Sequence, residues 1–117
     1  MTRVRIIPAG ATMLDLLAAL HAACFEEAWN RSFLARLLAT PGSYALVGTL
    51  GPEAEPAGFI VCRVGGGEGE VLSIGVVPAA RRHGVGRQLL RAGLAEADSL
   101  GAEKLCLEVA ADNAAAI

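Results

Sequence analysis

Val76-Val77-Pro78-Ala79-Ala80-Arg81-Arg82-His83-Gly84-Val85-Gly86-Arg87 joins two segments of different periodicity. Upstream, Val71 to Val77 is a run of strand-forming residues; downstream, apolar residues from Val85 to Leu100 recur at helical spacing. The two glycines fall where the first turn of that helix begins. Backbone N–H groups in a first turn have no intrahelical partner, and the helix dipole there favours negative charge. Glycine lets such a backbone close around an oxyanion, and the flanking arginines add charge-assisted donors. The stretch reads as strand, anion loop and helix, a site for a phosphate or pyrophosphate.

Outward from this loop the same logic assigns the remaining segments. Val4 to Ile7 is a short strand stopped by Pro8. Thr12, with Asp15 three residues on, has the pattern of an N-cap and capping-box acid for a helix carrying Met13, Leu16, Leu17, Leu20 and Cys24. His21 reads as one more residue of that helix, and Trp29 as a packing anchor rather than the wall of an acceptor groove. A second helix is expected over Ser32 to Ala39, before Pro41-Gly42. Tyr44 to Leu50 and Ala57 to Val64 read as strands around a loop containing Gly51-Pro52-Glu53 and Pro56. Gly65-Gly66-Gly67-Glu68-Gly69 is a hairpin turn and not a phosphate loop, because no helix follows to point a dipole at a phosphate. Gly101 closes the long helix, Lys104 to Val109 forms a last strand, and Asp112-Asn113 opens another helix. Three strands joined by short turns favour antiparallel pairing, and the long helix favours a parallel crossover to the last strand. The expected fold is α/β: a mixed, mainly antiparallel sheet with helices on both faces.

A chain of 117 residues reads as one domain over 1–117. Hydrophobic residues make up 54% and charged residues 19%, which excludes disorder; aromatics at 4% imply an aliphatic core in which small residues let helices approach closely. The net charge of −2 argues against nucleic acid as a partner. Positive charge is instead local: Arg81, Arg82, Arg87 and Arg91 lie in a stretch, Val71 to Ala95, without Asp or Glu. That suits a small anion. Cys24, Cys62 and Cys106 are widely spaced among apolar residues, with no metal-ligand pattern, so no metal is expected and the thiols read as buried and reduced, as in the cytoplasm. No signal peptide and no membrane-spanning run is present in the sequence.

The loop lacks the Gly-x-Gly-x-x-Gly of a dinucleotide site and the Gly-Lys-Ser/Thr of a Walker loop. Its Arg81-x-x-Gly84-x-Gly86, after a strand ending Val76-Val77-Pro78 and before a Leu-rich helix, resembles the acetyl-CoA-binding motif of the GNAT superfamily of N-acetyltransferases. The ending Leu105-Cys106-Leu107-Glu108-Val109, followed by Asn113-Ala114-Ala115-Ala116-Ile117, resembles that of the RimI-type ribosomal-protein-alanine N-acetyltransferases. Ala23-Cys24-Phe25 and Ala28-Trp29-Asn30 are compatible with that subfamily.

The resemblance implies acetyl-CoA as cosubstrate and a site carried over residue by residue. Main-chain groups of Ile74, Gly75 and Val76 would pair with the pantetheine arm like an added strand, and one N–H there would face the thioester carbonyl. Main-chain N–H groups of Arg82, His83, Gly84, Val85, Gly86 and Arg87 would hold the pyrophosphate, with Arg81 beside them. Asn113 would bond the cofactor arm, and Glu108 would be the general base. An α-amine has a pKa of about 7.7–8.0 against about 10.4 for lysine, so a single carboxylate suffices for a protein N-terminus. The expected acceptor is a protein N-terminal amine, such as that of a ribosomal protein beginning with alanine; the alternatives are a small-molecule amine or a non-catalytic acyl-CoA-binding module. The family pattern continues beyond Ile117 into a tyrosine acid and two further strands, so the resemblance implies a domain incomplete at its C-terminus, with those strands missing. Tyr44, the one tyrosine here, sits in an early strand and has no claim to that role. An uncovered last strand would make an apolar sheet edge, for which a homodimer is the expectation.

Overall fold

The structure, a computed structural model, describes residues 3–107. Its strands are β1 (Val4–Pro8), β2 (Ser43–Leu50), β3 (Glu55–Gly65), β4 (Glu68–Val76) and β5 (Lys104–Leu107); its α-helices are α1 (Leu14–Cys24), α2 (Arg31–Leu38) and α3 (Val85–Ser99). The sheet runs β1-β2-β3-β4-β5, antiparallel as far as β4 and parallel between β4 and β5. The expected mixed α/β sheet is present.

The period of two along β2 and β3 decides which helix covers which face. Ala45, Val47, Phe59 and Val61 point to one side, where Leu14, Leu17, Leu20 and Leu34 of α1 and α2 meet them. Leu46, Ile60 and Cys62 point to the other, under Val85 and Leu89 of α3. The central strands are buried on both faces and therefore read as continuous apolar runs. On α3 the buried residues are Val85, Leu89, Gly93 and Ala97, one every four positions, with the two larger side chains in the first half of the helix and the two smaller in the second. Gly48 and Gly58 are register partners under α3; a Cβ on Gly58 would lie 2.6 Å from the Gly75 carbonyl oxygen and 3.2 Å from Leu89 Cδ1. The small residues expected to admit a close helix are these.

The ends of the helices differ from expectation at one point. Thr12 is not an N-cap: it lies inside a 3-10 turn, Ala11–Met13, which Gly10 closes by accepting the Met13 N–H at 2.9 Å. Met13 takes the cap position with no side-chain bond, and Asp15 pairs with Arg31 of α2 at 2.8 Å instead. That pair is exposed and contributes little to stability. Asn30 caps α2, its Oδ1 accepting the Phe33 N–H at 2.8 Å. At the end of α3 the Ala102 N–H bonds to Ala97 C=O and the Gly101 N–H to Asp98 C=O, with Gly101 at φ +91°, a Schellman closure.

Gly66 and Gly67, both at positive φ, make the two-residue turn between β3 and β4. The Gly67 carbonyl accepts the Glu103 N–H at 2.7 Å, so the glycine-rich turn serves the sheet. All three cysteines are free, but only Cys62 is buried; Cys24 is half-buried, and Cys106 is exposed because β5 turns Lys104 and Cys106 outward. Burial pushes the Cys62 thiol up to about 11. Maleimide labelling of the folded chain should therefore modify Cys106 first and spare Cys62 until denaturant is added. Rapid labelling of Cys62 in the native state would contradict the packing of α3 on the sheet.

Candidate active site

β4 delivers the chain to the loop through tight local bonds. The Val77 N–H donates to Ala57 C=O at 2.8 Å, and Pro78–Ala80 makes one 3-10 turn. Arg81 then turns back, its Nε–H donating to Val76 C=O at 3.2 Å. Arg82 at φ +70° and Gly84 at φ +81° are left-handed. A left-handed arginine is uncommon and costs about 1–3 kcal/mol. Coiling of this kind turns successive N–H groups into a concavity that suits an anion.

The first intrahelical bond of α3 runs from Gln88 N–H to Gly84 C=O at 3.1 Å. The N–H groups of Val85, Gly86 and Arg87 therefore have no intrahelical acceptor. No acidic residue occupies this first turn, and Arg81, Arg82 and Arg87 are exposed around it. The ion pairs among the described residues are Arg31–Asp15 and Lys104–Glu68, so neither involves these arginines. Cations at a helix N-terminus oppose the dipole unless an anion lies between. The loop residues named from the sequence, Arg81 to Arg87, are thus brought together around one helix end.

Ile74, Gly75 and Val76 lead into this loop along one edge of β4. Because the Val77 N–H faces β3, strand alternation turns the main-chain polar groups of Ile74 and Val76 to the opposite edge. β5 pairs with β4 only from Glu68↔Lys104 to Val71↔Leu107, so among the described residues Ile74–Val76 pair with β3 alone. Between these two stretches lies a bulge. Val61 faces Ser73 and Cys62 faces Val71, which leaves Leu72 unpaired. Val71 and Ile74 consequently both pack under α3, while Leu72 packs toward α1 and α2. A cleft of about 310 Å³ beside the bulge is lined by Glu70, Val71, Leu72 and Cys106. Gly75 is required for a different reason: a Cβ there would sit 2.8 Å from Cys24 Sγ and 2.9 Å from Phe59 Cε1.

Sequence reasoning missed the group next to the bulge. His21 is 3% exposed, and its Nε2 lies 3.0 Å from Ser73 Oγ while its Nδ1 accepts the Trp29 N–H at 3.0 Å. Trp29 stacks on the imidazole with centroids 4.8 Å apart, and Phe25 and Phe59 flank it. The available signal was a histidine at an apolar helix position, four residues after Leu17. Burial lowers its pKa, because the charged form is desolvated. The unfolded chain then binds the proton more readily than the folded one, so this contribution is complete above the unfolded pKa of about 6.5 and is lost as pH falls below it. Chemical denaturation between pH 7.5 and 5 should show stability falling, and His21→Gln should flatten that fall. An unchanged slope would contradict a buried neutral imidazole.

Tyr44 has no free hydroxyl to offer: Oη donates to Gly93 C=O at 2.6 Å, and burial raises its pKa. Glu108 and Asn113 lie outside the described residues; Leu107, the residue before Glu108, is in register with Val71, next to the bulge. A cavity of about 570 Å³ lies elsewhere, lined by residues such as Pro8, Leu14, Leu38 and Tyr44 and by none of the loop. It is apolar and offers no cluster of cationic groups for a pyrophosphate. No helix among the described residues is long and apolar enough to cross a membrane.

The fold is shared with solved acetyltransferases. The ribosomal-protein-S18-alanine N-acetyltransferase of Escherichia coli matches 97% of this chain and 72% of its own, at 26% identity and a TM-score of 0.81. The ribosomal-protein-alanine N-acetyltransferase of Brucella melitensis biovar Abortus 2308 matches 97% and 85%, at 18% identity and 0.79. The aminoglycoside N-acetyltransferase AAC(6')-Iy, solved in complex with CoA, matches 97% and 81%, at 17% identity and 0.79. None of the curated proteins matches the chain. The sequence profile of the acetyltransferase (GNAT) family matches residues 14–117. With that profile covering most of its length, the chain belongs to the GNAT family of N-acetyltransferases.

Proposed function

We propose that residues 1–117 belong to one acetyltransferase domain that binds acetyl-CoA at the β4–α3 loop and transfers its acetyl group to a protein N-terminal α-amine, of the ribosomal-protein-alanine type. The observation that carries the cofactor site is the set of N–H groups on Val85, Gly86 and Arg87 that have no acceptor among the described residues, preceded by left-handed Arg82 and Gly84 and ringed by arginines. The pyrophosphate sits there, with Arg81, His83 and the main chain of Arg82 supplying further donors. The pantetheine arm runs back along the edge of Ile74, Gly75 and Val76 that faces away from β3 and that no strand among the described residues covers. Asn113 bonds the arm.

In the reaction the amine nitrogen bonds to the acetyl carbon and the C–S bond breaks, its electron pair leaving on sulfur. An N–H of β4 stabilises the charge on the carbonyl oxygen. Glu108 takes the proton that the amine loses, directly or through a water. Glu108→Gln should lower turnover about 100-fold and leave acetyl-CoA affinity within twofold. An equal loss of binding would make Glu108 a cofactor ligand instead. The free cysteines accord with a reducing compartment, the cytoplasm.

A small-molecule amine is the second reading, favoured by the likeness to the aminoglycoside enzyme, whose TM-score is close to that of the alanine N-acetyltransferases. Release of free thiol from acetyl-CoA separates the two. Turnover with an alanine-starting peptide and little with aminoglycosides supports the first; the reverse preference overturns it.

A further inference from the structure

The His21–Ser73 pair, buried at His21 and half-buried at Ser73, stands at the reacting end of the proposed acetyl-CoA site and has no role in that reading. We propose that the Ser73 hydroxyl, held in orientation by His21, accepts a hydrogen bond from the attacking amine; this rests on the acetyl-CoA reading above.

Length places the thioester. From the phosphoester oxygen of CoA to its sulfur there are about twelve bonds, against three per residue of peptide, so the arm spans about four strand residues, or about 13 Å. An arm that starts opposite Val76–Val77, where β4 meets the loop, ends opposite Leu72–Ser73. Here the bulge sets Leu72 and Ser73 on the α1 side of the sheet, while Ile74 packs under α3. Ile74 is buried under α3, whereas Ser73 is only half-buried, so an amine can approach from the side that Ser73 faces.

The histidine determines what Ser73 can offer. Nδ1 accepts the Trp29 N–H, so it carries no proton, and the neutral ring has its proton on Nε2. Nε2–H therefore donates to Ser73 Oγ. One lone pair of Oγ is taken and one remains to accept an amine N–H, which aims the nitrogen lone pair at the carbonyl carbon. The same tautomer denies His21 the role of base, because its ring nitrogens are both engaged. His21 is a positioning residue, and its stacking on Trp29 between Phe25 and Phe59 fixes the ring plane.

The test is equilibrium binding of two ligands, acetyl-CoA and CoA joined through its acetyl carbon to the amine of an alanyl peptide. In the second, an amide N–H stands where the attacking amine would. Ser73→Ala should leave acetyl-CoA affinity within twofold and lower affinity for the conjugate about tenfold. His21→Gln keeps an N–H donor toward Ser73 and should retain most of the preference for the conjugate. His21→Phe should lose it, and adding Ser73→Ala to His21→Phe should cost nothing more. Equal loss of both ligands in Ser73→Ala, or loss of neither, overturns the role of Ser73 and leaves the acetyl-CoA reading standing. Failure of the wild-type chain to bind acetyl-CoA overturns both.

Discussion

Gly84→Val should weaken acetyl-CoA binding at least about 100-fold while the chain remains folded. Gly84 is at φ +81°, where a β-branched side chain is a strong outlier, so valine forces the loop out of its coil. The loop cannot shift without moving the N–H groups of Val85 and Gly86, which stand next in the chain. A hydrogen bond to a charged group contributes about 1.5–3 kcal/mol, and losing two of them accounts for a factor of about 100 or more. The fold tolerates the change because a Cβ at Gly84 has nothing within 4 Å and the residue is exposed. Calorimetry with acetyl-CoA and a melting curve read both parts. Undiminished affinity in a folded Gly84→Val chain would remove the loop from the cofactor site.

Gly58→Val should have the opposite signature, a collapse of stability. The new Cβ would stand 2.6 Å from a backbone oxygen, that of Gly75, and within 3.3 Å of Leu89 and Val85 side chains. A side chain can rotate away, but a carbonyl in a strand pair moves only if β3 and β4 separate or α3 lifts. Overpacking costs about 1–3 kcal/mol where side chains adjust, and here the obstruction is backbone, so more than about 3 kcal/mol is expected. For a chain of this size that lowers the melting temperature by more than about 10 °C. Gly65→Ala is the control: Gly65 is exposed with nothing within 4 Å, and its melting temperature should be nearly unchanged. Equal behaviour of the two variants would contradict the close approach of α3 to the sheet.

The elements that were legible in the sequence are those fixed by local signals. The Gly84 turn, the Gly66-Gly67 hairpin and the Gly101 closure each require positive φ, and each glycine supplies it. The alternating cores were legible because β2 and β3 obey a period of two under helices on both sides. Thr12 misled because a side chain suited to capping does nothing when the backbone forms a 3-10 turn around it, and Gly10 let that turn form. Cys106 misled because composition says how often cysteine is buried, while the facing of β5 is set by its pairing with β4. The bulge at Leu72 leaves no local mark, since Val71-Leu72-Ser73 reads as ordinary strand; only its pairing across β3 shows it. The His21–Ser73 contact joins residues fifty-two apart and arises from how α1 lies on the sheet. The positions of the loop were therefore readable, whereas the surroundings of the reacting end were not.

The central claim is that acetyl-CoA lies on the β4 edge with its pyrophosphate at the start of α3. Amide chemical shifts of the isotopically labelled chain, followed by NMR during titration with acetyl-CoA, test it most directly. The account predicts the largest shifts at Arg82 to Arg87 and at Ile74 and Val76, with none at the apolar cavity near Leu14 and Leu38. Shifts confined to that cavity, or none at the loop at saturating acetyl-CoA, would contradict it.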